Sequence, residues 1–372
     1  MTTILNILLF AAILATLILV HEFGHFIVAK KSGIRVDEFG LGFPPKLWAK
    51  KWGETTYTLN LLPFGGFVKI FGEDPNDENT NGPDRSRSFV HKPRYIQAMV
   101  LIAGVTFNFL FAALLLSIGF MVGMPSSIDE GSAKYAKDQH ILITKVGDNS
   151  PASKAGLKIG DTIVAIVADN TTLQDTSLTP VAIQQLVLSH ADKRISLVYK
   201  RNGQTKTETL VPIRNAIAGY NDPAIGIAMD TVGTVVLPIH KAFFEGFTFA
   251  GSLFVQTIVG LYHLITGIFT GHSNLSQVTG PVGIVGLVGE ASRMGFIYLV
   301  TFTSLISINL AVINLLPFPA LDGGRLLFVI IEAIKRSPIN AKYTNALNYG
   351  GFVILIGLML LVTFHDVFKL LH

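Results

Sequence analysis

The stretch Ile4–Ala29, ILNILLFAAILATLILVHEFGHFIVA, carries an H-E-x-x-H motif, His21-Glu22-Phe23-Gly24-His25, behind a run with no charged residue from Ile4 to Val20. Ionisable groups are costly in hydrocarbon, so those standing in a membrane span are functional candidates. On a helix, histidines four apart share a face one turn from each other, and both imidazoles can reach one zinc ion. Glu22 lies beside the first and is placed to take a proton from an attacking water. The pattern points to zinc protease chemistry inside a membrane. A secretory signal peptide fits less well, because Met1–Asn6 has no Lys or Arg and the apolar run flows into the motif.

Composition agrees with a membrane protein. Half of the 372 residues are hydrophobic, only 15% are charged, and the mean hydropathy is +0.50. Soluble domains carry about a quarter charged residues. Cysteine is absent, which leaves His and carboxylate as metal ligands. The net charge of +4 is small and its Lys and Arg gather in particular loops, a pattern of membrane orientation and not of nucleic-acid binding.

A helical span needs about 20 residues. Ile4–Ala29, Ala98–Val122 and Tyr298–Leu316 qualify, and Gly350–Phe364 is a shorter fourth. Lys and Arg crowd the loop from Lys30 to Arg94, and Arg325, Lys335, Arg336 and Lys342 stand before the last span. By the positive-inside rule these loops are cytoplasmic and the region between the second and third spans lies outside. A fifth apolar segment, Phe243–Phe269, has a narrow polar stripe that includes Glu245, Ser252, Gln256 and His263, and is expected to be an interfacial or partly inserted helix that packs against the core. A full crossing there would turn the next span outward and put Arg325 and Lys335 outside. Gly280-Pro281 is expected to end the connection to that span.

The outer region has strand-like stretches at His140–Val146, Thr162–Ala168, Arg194–Lys200 and Gln204–Val211, with Asn202-Gly203 as a hairpin turn. Pro180–Ser189 has helical periodicity, with Thr179 as its N-cap. The run Ser150-Pro151-Ala152-Ser153-Lys154-Ala155-Gly156-Leu157-Lys158-Ile159-Gly160-Asp161 resembles the signature of bacterial PDZ domains. That resemblance implies that Ile225-Gly226-Ile227 receives extended peptide termini by strand addition.

A catalytic zinc site usually takes a third protein ligand. The candidate is Asp322, in Asn314-Leu315-Leu316-Pro317-Phe318-Pro319-Ala320-Leu321-Asp322-Gly323-Gly324, where two prolines break the third span and two glycines permit close backbone approach.

H-E-x-x-H in the first span, a PDZ-like insertion and N-x-x-P-x-P-x-L-D-G-G near the end together resemble the site-2 protease family, and within it the bacterial regulators of sigma-E proteolysis. The resemblance implies zinc held by His21, His25 and Asp322, Glu22 as catalytic base, and Asn314 near the substrate. Phe39–Phe43, Thr56–Leu61 and Gly65-Gly66-Phe67-Val68-Lys69 resemble the family's re-entrant β-structure, which implies that Gly65 and Gly66 meet substrate. The chain has room for one PDZ domain only.

The expected architecture is an α-helical polytopic membrane protein with four transmembrane helices, a re-entrant membrane β-structure and one extracytoplasmic α+β PDZ domain. Its divisions are residues 1–125, 138–230, 231–297 and 298–372. The resemblance implies residence in a bacterial cytoplasmic (inner) membrane and cleavage of single-span membrane proteins, such as anti-sigma factors or remnant signal peptides. The rival class is a proteolytically silent membrane scaffold that holds partners through the PDZ domain. An intact base and ligand set argue against it.

Overall fold

A computed structural model describes residues 3–73, 81–128, 132–201, 203–214, 216, 221–270 and 279–371. The chain divides into two compact units, one of residues 1–119 with 240–372 and one of residues 120–239.

The first unit begins with helix α1 (Thr3–Lys31), whose 29 residues reach about 43 Å at 1.5 Å each, more than a hydrocarbon core. It stops at Gly33, where φ is +68°. Gly33 N–H donates to Lys30 O and Ile34 N–H to Ala29 O, which satisfies the last carbonyls as glycine-terminated helices do.

Strands β1 (Val36–Trp52) and β2 (Thr55–Ile70) follow, and each folds into two arms. Glu38–Leu41 is flanked on one side by Gly66–Lys69 and on the other by Thr56–Leu59. Lys46–Trp52 returns along Thr55–Asn60 and forms the outer edge. Gly40 sits under Phe67, whose ring a Cβ there would meet at 2.6 Å. Helix α2 (Arg94–Val122) then runs back along α1. Ala29, Ile34, Val36, Ile70, Val100 and Leu101 form the buried cluster at that end.

The described residues of the second unit form a seven-stranded sheet with a ten-residue helix. Its strands are β3 (Met124–Ser127), β4 (Ala136–Val146), β5 (Thr162–Ala168), β6 (Thr171–Gln174), β7 (Ile195–Arg201), β8 (Gln204–Leu210) and β9 (Ile227–Val235), in the order β3-β9-β4-β5-β7-β8 with β6 on β5. Helix α3 (Pro180–Ser189) starts as expected, Thr179 Oγ1 accepting the Ala182 N–H at 3.1 Å. Ile143, Ile166, Ile183, Leu197 and Tyr199 are core residues. Arg201 opposite Gln204 closes the β7–β8 hairpin, while Asn202 of the expected turn lies outside the described residues.

The unit reaches beyond 138–230 at both ends. β9 runs through position 230, and its last residues pair with β3, Met124 opposite Val235 and Ser127 opposite Val232. The Ile128 N–H also donates to Thr231 O. Among the described residues, this pairing leaves Ile227–Asp230 as the open part of that edge of β9.

The first unit resumes with α4 (Ile239–Thr270), α5 (Pro281–Met294), α6 (Phe296–Leu315), α7 (Asp322–Lys335) and α8 (Ala341–Leu371). Five helices among the described residues, α1, α2, α4, α6 and α8, are long and apolar enough to cross a membrane. Helix α4 packs against the core, running antiparallel along α2, and its length and composition would also allow a full crossing where the sequence suggests an interfacial or partly inserted helix. Gly246 abuts Ser117, Phe254 stands edge-on to Phe109 at 5.8 Å, and Thr257 Oγ1 donates to Asn309 of α6 at 3.2 Å.

Helix α5 packs along α1. Val288 packs on Ile13 and Leu17, and Gly289 lies against Asn6. Helix α6 then descends through the same cluster by Leu299, Phe302, Ile306 and Leu310, so Asp322 still arrives beside the histidines. Asp366 of α8 accepts the Gly280 and Gly283 N–H groups at 3.1 and 2.8 Å and so satisfies the start of α5.

Candidate active site

Three side chains from distant parts of the chain converge. His21 Nε2 and His25 Nε2 are 3.2 Å apart, and Asp322 Oδ2 lies 3.0 and 3.2 Å from them. The ligand atoms of the three residues all lie within 4.8 Å of one another.

The tautomers follow from the outer nitrogens. His25 Nδ1 is 2.8 Å from the Val100 carbonyl, an acceptor only, so Nδ1 carries the hydrogen and Nε2 presents a lone pair. His21 Nδ1 is 3.4 Å from the Asn108 carboxamide, whose oxygen is buried without a partner. Turning that amide over lets Oδ1 accept from the His21 Nδ1–H, which also frees the His21 Nε2 lone pair. Asp322 Oδ2 is buried and has no hydrogen bond of good geometry. Two imidazole lone pairs and an unsatisfied carboxylate oxygen aimed at one point fit a divalent cation with N and O ligands.

Helix α2 makes room for this cluster. A Cβ on Gly104 would overlap His25 Nε2 and stand 2.6 Å from His21 Cε1. Val100, Gly104 and Asn108 are spaced by four and share one face of α2. None of the three was singled out from the sequence. The available signal was Asn108, a polar residue in an apolar span, four residues after a glycine.

Asp322 is brought in by the break between α6 and α7. The chain leaves α6 at Leu315 and re-enters helix at Asp322. Cβ atoms on Gly323 or Gly324 would overlap the carbonyls of Leu315 or Phe318, so the loop closes only with glycine at both positions. Ala320 is held at φ +74°, and its N–H donates to Asn348 Oδ1 of α8 at 3.2 Å. Gly351, one turn along, lies under Pro319, whose oxygen a Cβ would meet at 2.5 Å.

Glu22, Asn314, Gly65 and Gly66 line one cavity with His21 and Asp322, of about 280 Å³. A Cβ on Gly66 would lie 2.9 Å from Ile18 and 3.3 Å from Glu22 Cγ. The inner arm of the β-structure therefore lies directly against the acid, at Gly66. Ile225, Gly226 and Ile227 belong to the second unit. There the Ile225 and Gly226 carbonyls accept the Ala152 and Gly147 N–H groups at 2.9 and 2.8 Å, and Gly226 has φ +83°.

The sequence matches the Peptidase family M50 model over residues 9–358. It is 38% identical over 354 residues to a Clostridium perfringens protein described as a zinc metalloprotease, covering 95% of this chain and 96% of that one. A similarly described Clostridium acetobutylicum protein is 35% identical, covering 97% of each chain. The zinc metalloprotease RasP of Geobacillus kaustophilus is 28% identical over 441 positions, covering 99% of each. Two histidines and an aspartate closing on one point beside a half-buried glutamate thus occur in a chain that matches a peptidase family over almost its whole length, and the chain belongs to Peptidase family M50.

Proposed function

We propose that this chain is an intramembrane zinc metalloendopeptidase that cuts the transmembrane segments of single-span proteins in regulated intramembrane proteolysis. The supporting observation is the convergence of His21, His25 and Asp322 beside Glu22, in a cavity edged by Gly65 and Gly66. When bound, zinc supplies Lewis acidity toward a carbonyl and lowers the pKa of water to about 7. His21, His25 and Asp322 hold it. Glu22 accepts the proton of the attacking water and passes it to the leaving amine.

A helical peptide bond is shielded by its own hydrogen bonds, so substrate must unwind before attack. The inner arm Gly65–Lys69 offers a strand edge for an extended segment, and Asn314 faces the same cavity and binds it. The inserted unit is read as an extracytoplasmic PDZ domain that takes peptide termini at Ile225-Gly226-Ile227. Because β3 covers the rest of β9, this edge pairs with only a few residues of ligand. The enzyme resides in a bacterial cytoplasmic membrane, with the loops after α1 and before α8 inside.

The discriminating experiment expresses wild type and Glu22→Gln with a tagged single-span substrate. Wild type should give a fragment that a zinc chelator suppresses, and the variant should give none while keeping its zinc. Equal cleavage by both removes Glu22 from the mechanism. An intact complex with substrate and no fragment from either supports the scaffold class instead.

A further inference from the structure

The outer edge of the arm Lys46–Trp52 pairs with no further strand among the described residues, and its chemistry is distinct from that of the arm at the active site. Leu47, Trp48 and Trp52 are 61%, 53% and 79% exposed. The register sets Trp48, Lys50 and Trp52 on one face, opposite Leu59, Tyr57 and Thr55. Leu59 is itself 44% exposed. The arm contributes Lys46, Lys50 and Lys51 and no acid, and Lys50 and Lys51 make no ion pair among the described residues. Glu54 at the turn is already neutralised by Lys30 and Arg87 at 2.5 and 2.6 Å.

We infer that the arm Lys46–Trp52 docks on an anionic lipid headgroup surface. The β-structure starts five residues after the apolar helix α1 ends in Lys30-Lys31, which puts it at the boundary of the membrane that α1 enters. Tryptophan favours that layer because its ring is apolar and its N–H needs a polar neighbour. Lysines alternating with it match lipid phosphates in charge and in depth. A soluble partner would be expected to bury such an aromatic face against apolar surface, with no use for the unpaired lysines.

The arm is also connected inward through rings. Trp52 meets Tyr57 at 6.4 Å, Tyr57 meets Phe39 and Phe26 at 6.1 Å each, and Phe26 adjoins His25 on α1. Docking therefore fixes the sheet whose inner arm touches Glu22. The inference rests on the chain entering a membrane and not on its proteolytic activity.

Trp48 and Trp52 are the chain's two tryptophans, so intrinsic fluorescence reports on this arm alone. The full chain would be placed in nanodiscs of phosphatidylcholine, with and without phosphatidylglycerol, each prepared with acyl chains brominated near the headgroup. The expected result is blue-shifted emission and roughly threefold stronger quenching by brominated lipid in the anionic discs. Lys50→Glu/Lys51→Glu should lose that difference while keeping wild-type helix content by circular dichroism. Equal quenching in the two lipids, or a difference that survives charge reversal, overturns the inference. A fluorescence change that needs an added single-span substrate and ignores lipid charge overturns it too, and assigns the arm to substrate. Each readout holds in a Glu22→Gln background, so loss of proteolysis cannot be mistaken for loss of docking.

Discussion

Gly104 of α2 and His25 of α1 touch so closely that no side chain fits between them, since a Cβ on Gly104 would overlap His25 Nε2. The metal-facing side of both imidazoles is therefore shaped by a residue that has no functional group.

Gly104→Ala should displace the histidines and lower zinc affinity by about tenfold or more, as changes just outside a ligand set commonly do. Asn108→Ala should act in the same direction and more weakly, because His21 keeps its place and loses only its hydrogen-bond partner. Zinc titration of the purified variants by competition with a chromogenic chelator checks both. Wild-type affinity in Gly104→Ala would show that α2 can move away at no cost.

Asp322→Ala should lower zinc content and activity together, because a direct ligand is lost. Asn348→Ala should produce a partial version of that defect, since Ala320 then loses the bond that holds it at φ +74°. Adding Ala320→Gly should restore activity to the Asn348→Ala variant, because glycine adopts that conformation without strain. Failure of the double variant to recover, with helix content intact, would mean that Asn348 serves something other than the loop.

The inserted sheet carries its own acid-sensitive pair. Asp161 is 1% exposed, and burial by itself raises its carboxyl. The Arg201 guanidinium, at 2.6 Å to each oxygen, and the Lys158 N–H outweigh that and hold the group below the ordinary carboxylate range. A depressed folded-state pKa contributes stability that is fully present above the unfolded value and is lost as pH falls through the folded one. Protection factors for amide exchange in β5 and β7 should therefore hold at neutral pH and fall only below about pH 4. Asp161→Asn should cost about 1–2 kcal/mol at pH 7 and flatten that dependence.

Membrane orientation can be read with single cysteines, since the native chain has none. A cysteine at Ser153 should react with an impermeant maleimide added outside intact cells. One at Lys335 should react only after permeabilisation. Outside labelling at 335 would reverse the assigned topology.

The sequence disclosed most where chemistry needs rare residues in a fixed order. His21, Glu22 and His25 announce themselves by spacing, and Asp322 by the prolines and glycines around it. Gly104 does not, because a glycine that admits a neighbour looks the same in sequence as one that merely ends a turn. The path of α4 was also hidden. Its polar stripe does not name the helix it packs on, whereas Thr257 spends its hydroxyl on Asn309, a partner 52 residues away. The four-arm β-structure depends on Glu38 pairing with both Thr56 and Lys69, and strand periodicity carries no record of such two-sided, non-local pairing.

The pairing of β3 with β9 has a consequence for how such a chain can change over time. The sheet unit is joined to the rest of the protein through two adjacent strands, with Met124 facing Val235 across a single ladder step. Because its two stems start side by side, the inserted sheet can be enlarged, duplicated or traded for another fold without altering their separation, so it and the metal-binding residues are free to change on separate clocks.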